Sequence, residues 1–252
     1  MRMNEFTKII IYIVLIERFL KKYYFYICKI KKAMIKSIKT PFREQKNINI
    51  FAPDAINSDS PKPERHPLMP FLPENSKMLM LGSFPPPPER WTMNFYYPNF
   101  QNDMWRIFGM VFFNDKDYFV AGKSKSFEEE CIRQFLTQKG IALYDTAEEV
   151  IRRKGNASDQ FLEITIPTDI KKIMSQISQC DIIVTTGQKA TETLMEILGV
   201  KQIPPVCGYI DTIFINRSIR CYRMPSSSRA YPKSLTGKAA DYRKMFMDSN
   251  IL

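Results

Sequence analysis

From about residue 77 onward, short apolar blocks alternate with longer segments whose apolar positions repeat every three to four residues. Blocks of the first kind predict buried strands over residues 77–81, 141–144, 181–185, 211–215 and 219–223. The second kind predicts helices over 104–112, 127–138, 168–177, 188–198 and 235–247, with a helical turn or two over 147–153. Asp103, Ser126 and the pair Thr168-Asp169 stand where N-caps are wanted. Strands that alternate with helices give an α/β fold: a three-layer α/β/α sandwich around a central, mostly parallel sheet. Ligands of such sheets bind beyond the C-terminal strand ends. Gly82, Asp145, Gly187 and Pro225 fall there.

Upstream the pattern changes. Residues 1–40 are rich in Ile, Tyr, Phe and Lys, and their apolar run from Ile9 to Ile16 is 8 residues, against about 20 for a bilayer span. Three readings fit: an upstream extension with Met34 as the true start, a basic helix at a membrane surface, or a signal segment. Residues 41–65, with their Asn, Ser and Pro, read as a linker, and 66–252 as the globular domain. Membrane association is not expected of that domain, which is placed in the cytoplasm as a monomer.

The chain of 252 residues carries a net charge of +11, which invites a polyanionic partner. Its distribution weakens that reading. Residues 1–50 hold 12 Lys/Arg against 3 Asp/Glu, and the other 202 hold 25 against 23. Any grip of the domain on nucleic acid must come from local geometry. Five scattered cysteines without a C-x-x-C pair indicate neither a disulfide framework nor a zinc site. His66 is the only histidine and sits in a proline-rich entry segment, which argues against Ser-His-Asp, Cys-His and multi-histidine metal chemistry. No metal and no cofactor are expected.

Two segments concentrate chemical groups. The first runs from Gly82-Ser83-Phe84-Pro85 through Phe95-Tyr96-Tyr97 to Gln101-Asn102-Asp103-Met104-Trp105; the second is Met224-Pro225-Ser226-Ser227-Ser228-Arg229. Gly82 allows close backbone approach to a bound group, and the amides of Ser83 and Phe84 can face an oxygen that gains negative charge. Phe84, Tyr96 and Tyr97 offer flat faces, although an aromatic run can equally cover a hydrophobic patch. Gln101 and Asn102 supply amides that orient water or read a base edge. The serine run with Arg229 suits a phosphate, although a solvated loop has the same composition. Asp145 reads as a helix cap as readily as a site residue.

In this order the motifs resemble the uracil-DNA glycosylase superfamily, most closely its deoxyinosine (hypoxanthine) glycosylase-like branch. The resemblance covers residues 66–248 and extends to Ala142-Leu143-Tyr144-Asp145 and Ser158-Asp159. Asp103-Met104 replaces the Arg-Phe usual after the Asn, and Arg229 stands where Pro is common. The histidine of the second motif and the water-activating carboxylate of the first motif in the classical uracil enzymes are missing. The resemblance implies a uracil-DNA glycosylase-like sandwich that excises a deaminated base, uracil or hypoxanthine, from DNA by hydrolysis, with DNA as partner. It implies Asn102 as the catalytic, water-orienting residue, with Asp103 a second candidate that more simply caps the helix. It implies that Gly82, Ser83, Phe84, Tyr97 and Gln101 bind the base. Pro225, Ser226, Ser227, Ser228 and Arg229 would bind DNA, with Arg229 on a phosphate or in the vacated stack and Lys189 as a further contact or a solvated lysine. The rival is a catalytically inactive nucleic-acid-binding member of the same fold.

Overall fold

The computed structural model describes residues 62–122, 124–153 and 159–252. The N-terminal segment 1–40, and all of the 41–65 linker but its last four residues, lie outside them.

Five strands build the main sheet. They are β2 (Met78–Gly82), β3 (Ile141–Asp145), β6 (Ile182–Thr186), β7 (Gly208–Phe214) and β8 (Arg217–Met224), in the order β3-β2-β6-β8-β7. The first four run parallel, and β7 closes one edge antiparallel to β8. Met78 to Leu81 of β2 are wholly buried, as a strand covered on both faces must be. Five helices accompany the sheet: α1 (Met104–Phe113), α2 (Glu129–Lys139), α3 (Ile170–Gln176), α4 (Gln188–Leu198) and α5 (Leu235–Asp248). On one face α1, α2 and α5 share an aromatic cluster, with Phe112 4.9 Å from both Phe135 and Phe246, ring centre to ring centre. By the right-handed rule for crossovers between parallel strands, α3, between β3 and β6, and α4, between β6 and β8, belong to the other face. The expected three-layer α/β/α sandwich is present. Among the described residues no helix is long and apolar enough to cross a membrane.

A second sheet was not foreseen. Strands β1 (Pro63–Arg65), β4 (Ala147–Arg152) and β5 (Leu162–Pro167) pair antiparallel in the order β1-β4-β5. The helical turn expected over 147–153 is therefore a strand. Its Ala and Glu favour helix, but Val150 pairs with Glu64 and Ile164, and its side chain packs with Ala147 and Leu162 in a small core beside Phe84. Tertiary pairing overrides a weak local preference. Ser126 is not a cap either: α2 starts at Glu129, because the Val120–Phe127 bridge keeps that stretch extended.

The register fixes the site. Gly82 lies directly beside Asp145 across the β2–β3 pair, and Thr186 beside Met224 across β6–β8. Four parallel strands thus deliver their last residues to one edge.

Candidate active site

A cavity of about 310 Å³ opens at that edge, within the size of small-molecule sites. Gly82, Ser83 and Phe84 line it together with Tyr97, Gln101, Asn102 and the Ser226 to Arg229 turn. Asp145, Asp159, Thr186 and Arg90 line it as well. Of the residues singled out in the sequence for catalysis or binding, Asp103, Lys189 and Pro225 do not line it; Pro225 is buried behind the turn, where its carbonyl accepts from the Tyr242 hydroxyl at 2.9 Å. Its part is to hold the turn, not to touch a ligand.

The floor is tight. A Cβ on Gly82 would sit 2.4 Å from Asp145 Oδ1, so the glycine is required by this close approach. Asp145 caps no helix, since β4 follows it. Its Oδ2 lies 2.9 Å from Nε2 of His66, a side chain only 2% exposed. The histidine ring packs edge-on to Phe84, at 5.3 Å, and against Tyr144, at 4.7 Å. The entry segment therefore carries an imidazole behind Asp145, one of the residues lining the cavity, which the sequence alone did not suggest.

Among the aromatics, one is set apart. Phe95 and Tyr96 are core: Phe95 stacks on Trp105, and the Tyr96 hydroxyl donates to the Met69 carbonyl at 2.9 Å. Tyr97 is only partly buried and takes a φ of 50°, a left-handed conformation that costs a bulky residue of order 1 kcal/mol or more. Its hydroxyl meets Thr186 Oγ1 at 3.1 Å, which pins the ring from the end of β6. Burial pushes the phenol pKa up, with Asp145 adding to the effect, so Tyr97 stays neutral.

The helix cap expected of Asp103 is made by Asn102. Asn102 Oδ1 accepts from the Met104 amide at 2.9 Å and so caps α1, while Asp103 makes no side-chain cap. Because a backbone N–H can meet only the oxygen end, the Asn102 amide is oriented with Nδ2 as a donor that meets no acceptor among the described residues. Asp103 is buried in an ion-pair group instead. Its Oδ1 accepts from Arg229 Nε at 3.1 Å, and its Oδ2 from Lys238 Nζ at 3.0 Å. Lys238, itself fully buried, also donates to the Ser228 carbonyl at 2.7 Å, and the Asp103 amide donates to the Ser227 carbonyl at 3.0 Å. These bonds lock the start of α1 to the serine turn, 124 positions later in the chain. Within the turn, Ser226 and Ser228 hydroxyls accept from the amides of Ser228 and Ala230. Arg229 remains half exposed at the rim, as an anion contact would require.

Asp159 adds a second carboxyl to the cavity and accepts from the Ser83 hydroxyl at 2.6 Å. Desolvation by burial raises its pKa above the usual carboxylate range, only partly opposed by the Ser83 bond. A raised carboxyl pKa means that its ionisation opposes folding, so its contribution is fully present below the unfolded pKa and is lost as pH rises through the folded one. Asp159→Asn keeps an acceptor for Ser83 and removes that loss. The variant should melt above wild type at neutral pH, with the gap closing as pH falls into the carboxylate range; thermal melts between pH 3 and 8 measure it.

No family model matches the chain, and no curated protein matches it. Among solved structures, the solution NMR structure of a candidate uracil DNA glycosylase from Methanosarcina acetivorans aligns with a TM-score of 0.51. The two are 22% identical, and the match covers 75% of this chain and 99% of the other. That likeness shows the fold, a uracil-DNA glycosylase-like α/β/α sandwich.

Proposed function

We propose that the protein is a DNA glycosylase that hydrolyses the N-glycosidic bond of a deaminated base, uracil or hypoxanthine, extruded from DNA. One observation carries this reading: Asn102 and the Ser226–Ser228 turn, distant in sequence, close on one cavity over Gly82. The resemblance of the motifs to the deoxyinosine branch and the fold of the Methanosarcina protein support it.

The target bond is inaccessible in a stacked duplex, so the nucleotide must leave the helix and enter a pocket. The hydroxyls of Ser226 and Ser228 and the Arg229 guanidinium at the rim suit the flanking phosphates, and Arg90 adds a cation there. The Tyr97 ring supplies an apolar face for the base. As the C1′–N bond breaks, its electron pair leaves with the base, and the amides of Ser83 and Phe84 stabilise that charge. Water then bonds to C1′, and its proton ends on the departed base. Asn102 orients this water through Nδ2, which the helix cap leaves free.

Incubating the protein with single- and double-stranded oligonucleotides carrying uracil or deoxyinosine, followed by alkali, should cut the strand at the lesion. Asn102→Ala should lower the rate by about 10²–10³-fold while keeping DNA affinity. It also removes a cap, at roughly 1 kcal/mol. Asn102→Asp retains the capping oxygen and should lose the rate alone. A wild type inert on all four substrates would overturn the proposal.

A further inference from the structure

Arg106 is absorbed by none of the steps above, and its place in the fold calls for a reason. It is buried in the first turn of α1. A cation there opposes the helix dipole, which favours negative charge at that end. Among the described residues no carboxylate lies within ion-pair distance of its guanidinium. A buried charge without a counter-ion costs stability, and an apolar side chain of similar size would avoid that cost.

What surrounds the guanidinium is the loop that carries Asn102. Helix side chains lean toward the N-terminus, so a residue of the first turn lies over the segment just before the helix. Arg106 Nη1 donates to the Phe100 carbonyl at 2.8 Å and, at the longer distance of 3.4 Å, to the Asn102 carbonyl. The guanidinium carbon stands 4.3 Å from the centre of the Phe100 ring and 5.1 Å from that of Phe127, a cation–π arrangement. The two carbonyls belong to the peptides that follow Phe100 and Asn102. Their orientation sets where the Asn102 side chain leaves the main chain.

We infer that Arg106 is a positioning residue of the proposed reaction: its guanidinium clamps the main chain around Gln101-Asn102 and so sets where Asn102 Nδ2 meets the attacking water. The inference rests on the glycosylase reading and extends it to a side chain that does not line the cavity. The cap bond from the Met104 amide fixes how the Asn102 amide is turned. The Arg106 bonds fix where it stands. Displacing a reacting group by about 1 Å can cost about 100-fold in rate, so a clamp on the loop is worth the burial of a charge.

The test is a double-mutant cycle read by single-turnover cleavage of oligonucleotides carrying deoxyuridine or deoxyinosine. Arg106→Met keeps an apolar stem and removes the donors. It should slow the chemical step by about 10–100-fold while KM for the oligonucleotide stays within about twofold. Arg106→Lys keeps a charge over the rings and a donor within reach, so its rate should fall between the two. In an Asn102→Ala background no amide is left to place, and Arg106→Met should cost about twofold or less. A purely structural role would slow both backgrounds by the same factor. Should Arg106→Met fail to fold, Arg106→Lys completes the same cycle, with its loss again confined to the background that retains Asn102. Equal factors in the two backgrounds, or an Arg106→Met enzyme as fast as wild type, overturn the assignment and leave the glycosylase reading standing. An Asn102→Ala enzyme as fast as wild type also overturns it, since Arg106 would have nothing to act through. A wild type inert on both lesions removes the reading and the assignment together.

Discussion

Lys238→Met is expected to destabilise the domain by about 3–5 kcal/mol, the range for removing one partner of a buried ion pair. For a domain of this size that is on the order of a 10 °C drop in melting temperature. The methionine fills the space, so the loss is electrostatic. Asp103, with a side chain only 9% exposed, would keep its charge with only the half-exposed Arg229 to offset it. The Ser228 carbonyl would lose its donor too. A double substitution separates these effects. Asp103→Asn in the Lys238→Met background removes the uncompensated charge and keeps an acceptor for Arg229, so it should recover more than half of the loss. If the two substitutions simply add, the ion pair is not what holds the rim together.

How these elements were legible differs from case to case. The central strands could be read because burial on both faces leaves almost no choice of residue: Met78 to Leu81 and Ile141 to Tyr144 are apolar without a break. The helix Gln188–Leu198 has the bounds expected of it, because Gly187 before it and Gly199 after it take positive φ where the chain must turn. The small antiparallel sheet could not be read in this way. Its middle strand is built from Ala147, Glu148 and Glu149, and only pairing with Pro63–Arg65 and Leu162–Pro167 makes it extended. The first of these pairings joins segments more than 80 residues apart, and pairing at that separation leaves little trace in local periodicity.

The candidate site was legible in its loops and opaque in its polar wiring. Motif order brought Gly82, Asn102 and the serine turn to attention, and they do share a cavity. Nothing in the sequence tied His66 to Asp145, or Lys238 to Asp103, because each bond spans the fold and depends on which side chains are buried together. One signal could have been weighed more heavily. An Asp at the end of a wholly apolar strand, in register with a glycine at the end of the next, places a carboxylate where no side chain opposes it. A single histidine argues against a multi-histidine centre, but its rarity says nothing about where it is buried.

Gly82→Ala should reduce cleavage by about 100-fold or more, with a smaller stability loss of about 1–3 kcal/mol from overpacking. The added methyl group would stand 2.4 Å from Asp145 Oδ1, well inside contact distance. Asp145 cannot yield cheaply: Oδ2 is bonded to His66, and the main-chain carbonyl accepts from Thr168 Oγ1 at 2.7 Å. Relief of the clash therefore means breaking the His66 bond or lifting the strand end, and either one moves the floor on which the base would rest. Residues that share one clash do not behave additively. In an Asp145→Ala background the methyl group has room, so the glycine substitution should cost only a few-fold more. Measuring kcat/KM on a uracil or deoxyinosine duplex for the two single variants and the double completes the comparison. A Gly82→Ala enzyme as fast as wild type would mean that the reacting base sits elsewhere in the cavity.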